Sequence, residues 1–343
     1  MSALDGIIAA ARAAPQRIVL AEGEDPRIVE GAVRASRDGI ARITLIGNTG
    51  RVEGLLRDHG ADPANLAVID PANTPLRGGF AAEYHVLRRH KGVEMEAARE
   101  AVLDPLVFAA LMVRLGHAEG TIAGAVATTA ETVRAALQII GGAPGSALVS
   151  SFFLMMLDAP HHPKQGALVF ADCGLVVEPD AAELAGIALA SARSFADLTG
   201  MVPKVAMLTF STHGSARHQR VTKVIEATSL ARAAWPDLLI DGDLQFDAAF
   251  VPAINVAKAP GSPIAGDANV FVFPSLEAAN IAYKIAQRIG GAKAIGPILQ
   301  GLAHPANDLS RGCSTEDVYH LIAVTSAQAA ARAAARSLPN PSL

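Results

Sequence analysis

The sequence predicts an α/β protein: two α/β domains with mainly parallel sheets. Short β-rich runs alternate with Ala-rich helical stretches, the pattern of βαβ units. Of the 343 residues 51% are hydrophobic and only 18% charged, so a large core can be buried. Aromatics are 4%, leaving Ala, Val, Leu and Ile as the apolar stock, which suits strands covered by helices on both faces. The length fits two domains at ~100–200 residues each.

Strands are expected at residues 17–22, 42–47, 66–70, 120–126, 167–172, 205–211, 238–241 and 270–274, each a β-rich run. Helices are expected at 94–116, 130–140, 181–195, 223–235, 277–289 and 315–336. The run Gly141-Gly142-Ala143-Pro144-Gly145 stops a helix and opens a turn. A second boundary falls at 301–308, with Pro305 and Asn307. Domain I is therefore expected at 1–145, completed by the C-terminal helix region 309–343, and domain II at 146–308. A cleft between two such domains is where a ligand is expected.

The net charge of −4 gives no basic field, so no nucleic acid is expected as partner. Cys173 and Cys313 have no partners at metal spacing, and free thiols fit a reducing cytoplasm. The start of the chain lacks a basic n-region. The longest apolar stretch, 152–157, is too short to span a bilayer. A soluble, cytoplasmic protein is expected. There is no Gly-x-x-x-x-Gly-Lys-[Ser/Thr] loop, no Gly-x-Gly-x-x-Gly fingerprint and no His-x-x-x-His helix. His161-His162 reads as an exposed turn, and Asp241, Asp243 and Asp247 as an outside candidate for a cation.

Three segments hold residues suited to chemistry. In 307–317 a polar loop enters a helix whose apolar positions Val318, Leu321, Ile322 and Ala329 share a face. Backbone N–H groups at that helix start, with Arg311, suit an anion, and Ser310 and Asp317 add a hydroxyl and a carboxylate. Ser314-x-x-Asp317 equally fits a capping box. In 121–134 a strand enters a helix opened by Thr128 and Thr129, with Glu131 at capping spacing and Arg134 a turn on; this is either a ligand-facing turn or a capped helix with a solvated arginine. Arg88-Arg89-His90-Lys91 is a basic run suited to coenzyme A phosphates, or a solvated face.

Taken together, the chain resembles the phosphate acetyltransferase family, which includes phosphate butyryltransferases. The resemblance rests on Leu20–Asp25, Leu87–Gly92, Gly124–Ala130 with Arg134, Phe170–Cys173, Ser211–Ser215, Asp241–Asp247 and Asn307–Asp317, in that order. It implies an inter-domain active-site cleft in an architecture like that of isocitrate and isopropylmalate dehydrogenases, and a homodimer. It implies transfer of acetyl between acetyl phosphate and coenzyme A, giving acetyl-CoA and inorganic phosphate, with no metal and no cofactor beyond coenzyme A as substrate. By position, Asp317 matches the base for the thiol, Ser310 the group steadying the transition state, and Arg311 a phosphate-binding arginine. Arg88 and Arg134 match arginines that bind coenzyme A or act in catalysis, with Thr128, Thr129 and Lys91 beside them. Ala127 stands where many relatives carry a polar residue such as His, and Glu94 where Thr or Ser is usual. Alternatives within the resemblance are a butyryltransferase and a non-catalytic acetyl-CoA sensor. A metal-dependent decarboxylating dehydrogenase of related architecture lacks its carboxylate set and nicotinamide site here.

Overall fold

In the computed structural model, which describes residues 2–146 and 148–337, the chain divides into two units. The first covers Asp5–Pro144 and resumes at Leu302; the second is Gly145–Gly301. Chain order runs α1 (Ala3–Ala13), β1 (Gln16–Leu20), α2 (Pro26–Arg37), β2 (Ala41–Ile46), α3 (Thr49–Asp58), β3 (Ala67–Ile69), α4 (Arg77–Arg88), α5 (Met95–Ala101), α6 (Pro105–Arg114), β4 (Gly120–Ala123) and α7 (Thr129–Ala135). The second unit holds β5 (Ser150–Leu157), β6 (Gly166–Ala171), α8 (Ala181–Thr199), β7 (Lys204–Leu208), α9 (Gln219–Ala234), β8 (Leu239–Leu244), α10 (Phe246–Phe250), α11 (Pro252–Lys258), β9 (Val270–Val272), α12 (Leu276–Arg288) and β10 (Lys293–Gln300). The chain then returns with β11 (Ala306–Asp308) and α13 (Thr315–Ser337).

The first sheet has the order β11-β4-β1-β2-β3 and is parallel throughout. Ile18, Val19 and Leu20 of β1 are fully buried, as a central strand covered on both faces requires. Helix α13 packs on α2, β1 and β4. Its predicted apolar face is buried, with Val318 and Ile322 at 0% exposure. Gly31 permits this approach, since a Cβ there would lie 2.6 Å from Val318 Cγ1. The second sheet, β10-β5-β6-β9-β7-β8, is antiparallel across β10, β5 and β6 and parallel across the rest.

The structure corrects several expectations. The helix expected at 94–116 is two helices, because Asp104 caps a new helix opening at Pro105, whose missing N–H ends α5. The stretch 152–157 belongs to strand β5, and β10 and β11 were not foreseen. Residues 302–308 belong to the first unit, because β11 pairs with β4 (Ala306 with Thr121, Asp308 with Ala123). The carboxylates weighed for a cation are otherwise engaged. Asp241 meets Arg232 and His213, Asp243 accepts from Gly214 N, and Asp247 pairs with Lys258. Among the described residues no three His, Cys, Asp or Glu side chains converge to hold a metal. No described helix is long and apolar enough to cross a membrane.

Candidate functional site

The carboxyl ends of β1, β4 and β11 lie side by side in the first sheet, and the loops and helices that follow β4 and β11 carry most of the predicted site residues. After β11, Leu309 N donates to Ala123 O (2.7 Å). Ser310 and Arg311 follow, both exposed. The Ser310 hydroxyl accepts from Gly312 N at 3.2 Å and its carbonyl from Cys313 N at 2.8 Å, which folds the loop into a turn. Asp317 Oδ2 accepts from the N–H and the hydroxyl of Ser314, both at 2.8 Å, while Asp317 N donates to the Ser314 hydroxyl at 3.2 Å. The capping box is thus formed. Asp317 Oδ1 takes no hydrogen bond among the described residues, and the side chain is half-buried.

After β4, the turn 124–128 is shaped by Gly124 at φ +101°, a conformation open to glycine at little cost. Any Cβ there would also collide with Asp308 Oδ1 and the Leu309 backbone. Thr128 and Glu131 form a second reciprocal capping box. The Thr128 N–H and hydroxyl hold the Glu131 carboxyl below its usual range, with the charges of Arg134 and Arg311 adding to the effect. Arg134, in α7, and Arg311, in the loop after β11, therefore act on one carboxylate. The Thr129 hydroxyl points inward and donates to Asp308 Oδ2 at 2.6 Å.

Two residues that the sequence did not single out hold these loops together. Glu22, just beyond β1, accepts from the backbone N–H of Ala125 (2.7 Å), Val126 (3.1 Å) and Ala127 (2.7 Å). Arg27 donates to Ala125 O (2.8 Å), Arg311 O (2.8 Å) and Cys313 O (3.2 Å), and pairs with Asp25. One guanidinium thus ties the 124–128 turn to the 310–313 turn. Burial raises the Asp25 pKa, but the hydrogen bonds and charge of Arg27 outweigh it and hold the carboxyl below its usual range. The available signal was the stretch Glu22-Gly-Glu-Asp-Pro-Arg27 between a strand and a proline-opened helix. Nothing local names its distant partners.

A cavity of about 820 Å³ opens in the first unit, lined among others by Glu22, Tyr84, Leu106, Val126, Ala127 and Arg134. Glu22, Asp25, Asp104 and Glu131 at its wall are spent on caps and loop bonds, which leaves Arg134 as its basic group. Arg88 ends α4 one turn after Tyr84; its Nε is buried and makes no hydrogen bond. Lys91 is exposed in the turn beyond. Arg88, Lys91, Arg134 and Arg311 form no ion pair among the described residues, so four cations stay available for an anionic ligand. Among the described residues no hydrogen bond or ion pair joins Arg88 or Lys91 to the segment 310–317.

Cys313 is buried, and burial pushes its thiol pKa up; Arg27 opposes the rise, while Asp317, Asp25 and Glu22 add to it. A neutral, enclosed thiol is a poor nucleophile.

The family model described as phosphate acetyl/butaryl transferase matches residues 2–326. The phosphate acetyltransferase of Paracoccus denitrificans is 51% identical over 328 residues, covering 96% of this chain and 99% of that one. That of Acetivibrio thermocellus is 47% identical, covering 96% and 98%. A solved phosphotransacetylase from Streptococcus pyogenes superposes with a TM-score of 0.90 at 42% identity, covering 96% of this chain and 98% of that one.

Proposed function

The chain belongs to the phosphate acetyltransferase and butyryltransferase family, and we propose that it transfers acetyl reversibly between acetyl phosphate and coenzyme A through a ternary complex. The observation that carries the assignment of residues is the loop bearing Ser310 and Arg311 that runs into the first turn of α13 at Asp317, tied by Arg27 to the turn that precedes Arg134. In this reading Asp317 is the base, through the Oδ1 that its helix cap leaves open. Full proton transfer from a thiol near pKa 8.5 to a carboxylate near 4 is uphill by about 6 kcal/mol in water. Transfer concerted with attack on the acyl carbon avoids the free thiolate.

The sulfur adds to the carbonyl, the Ser310 hydroxyl donates to the developing oxyanion, and Arg311 holds the departing phosphate. Arg88, Arg134 and Lys91 bind the anionic groups of coenzyme A, while Thr128 and Thr129 shape the turn against which it lies. The apolar wall at Leu106, Val126 and Ala127 suits the pantetheine arm. Aligning two substrates accounts for much of the acceleration. In this reading coenzyme A enters as a substrate and the transfer needs no further cofactor. The enclosed free thiols fit the cytoplasm. We assign a homodimer from the family resemblance, and Ile281 and Ile285 of α12 with Ile289 just past its end form an exposed apolar row (53%, 53% and 83% exposed) that fits a second copy; sedimentation returning a monomer at micromolar concentration would remove this assignment. Thioester formation from coenzyme A and acetyl phosphate in EDTA tests the activity. Absence of thioester under those conditions would refute it.

A further inference from the structure

We propose that Asp308 is a positioning residue for acyl transfer, its carboxylate locking the Thr128–Thr129 turn and the Ser310–Arg311 loop into one fixed relation. This rests on the acyl-transfer reading above. Strand β11 alternates its faces. Asn307 turns to α13, where its amide donates to Thr325 Oγ1 (2.9 Å) and Gln328 Oε1 (2.7 Å). Asp308 turns the other way, to α7 and the end of β4. It is fully buried.

Two other buried acids of this chain are well compensated. Asp172 accepts from Ser151, Gly174, Leu175 and Val176, and Asp241 faces Arg232 and His213. Asp308 has the Thr129 hydroxyl on Oδ2, while Oδ1 makes no hydrogen bond and no cation pairs with it. The Thr132 hydroxyl is close enough to act on its charge, yet it too is buried without a partner. A carboxylate so poorly paid for by its surroundings costs stability. It sits two residues from Ser310, beneath Thr129 and against the glycine that opens the substrate turn. A buried, under-compensated carboxylate at that place points to a functional rather than a packing role.

Burial pushes the Asp308 pKa up to about 6; Thr129 and Thr132 oppose this, and the Glu22 carboxylate adds to it. Glu22, from the loop after β1, is the charged group that acts on it, and α7 presents the two threonines. The lock therefore holds when Asp308 is ionised and loosens as pH falls through about 6.

The test is Asp308→Asn, which keeps size and an acceptor for Thr129 but removes charge. At pH 7.5 we expect kcat to fall at least tenfold while the thermal midpoint rises, because position 308 then buries no charge. The wild-type loss of kcat/KM below pH about 6 should be absent in the variant. Thr129→Val should lower kcat in the same sense, and the double variant should lose no more than the worse single. A kcat within twofold of wild type overturns the proposal. So does a fall in both kcat and midpoint with the acid limb retained, which is what a packing residue would give. If Asp308→Asn does not fold, an unaltered kcat in Thr129→Val overturns it alone. An inactive wild type would sink the acyl-transfer reading, and the midpoints would then decide on Asp308 separately.

Discussion

At the scale of single residues, Asp317 does two jobs with two oxygens. Oδ2 caps α13 through Ser314, leaving Oδ1 for a substrate proton. Asp317→Asn retains a carbonyl for the cap and removes the base. We expect kcat to fall about 10²–10⁴-fold, with KM for coenzyme A within about threefold and a small change in thermal midpoint. An unchanged kcat would exclude Asp317 as the base. Ser310→Ala should follow the same course less severely. Cys313→Ala should keep kcat within about twofold, since its buried thiol stays protonated. Acetylation of Cys313 in acid-quenched enzyme would reverse that expectation. Both capping boxes were legible at spacing i, i+3, because they are local. Glu22, Arg27 and Asp308 were not, because each acts on partners about 100 to 290 residues away in the chain.

At the scale of elements, the site is a set of strand ends joined by short loops, and its precision depends on those joints. Glu22→Gln replaces one accepting oxygen with a donor and leaves an N–H of the 125–127 turn unpaired. The expected cost is ~1–3 kcal/mol, read as a lower urea midpoint, together with a higher KM for coenzyme A; an unaltered midpoint would show that water replaces the lost bond. Eight of the eleven strands among the described residues, β1 to β4 and β6 to β9, were readable as β-rich runs between helices. β11 was not, since Ala306, Asn307 and Asp308 carry no β-propensity and are a strand only because β4 offers an edge. β5 was hidden for the opposite reason. Its residues are almost wholly buried, so no alternation marks it. The split at Asp104-Pro105 was visible in the residues and was overridden by the helical period around it.

At the scale of the molecule, the two kinds of shifted carboxyl give opposite pH responses. Glu24, Asp25, Glu119, Asp247 and Asp267 are held below their usual range in the folded chain. Their stabilisation is present above pH about 4 and is lost as they take up protons below it. Asp308 is raised, so its contribution is full below pH about 4 and disappears as pH rises through about 6. The thermal midpoint should therefore hold or rise from pH 7.5 to 5 and drop below 4. A steady decline from pH 7.5 downward would contradict this. The first unit is also interrupted: its sheet is begun before Pro144 and finished only by β11, after the whole second unit. On a ribosome adding ~5–20 residues per second, the outer edge of β4 waits roughly 9–37 s for its neighbour. During synthesis the second unit can fold while the first stands open, and the segment that seals the nascent sheet is the one that delivers Ser310, Arg311 and Asp317. Completion of the fold and arrival of the catalytic groups are one event, so a polypeptide released early has neither.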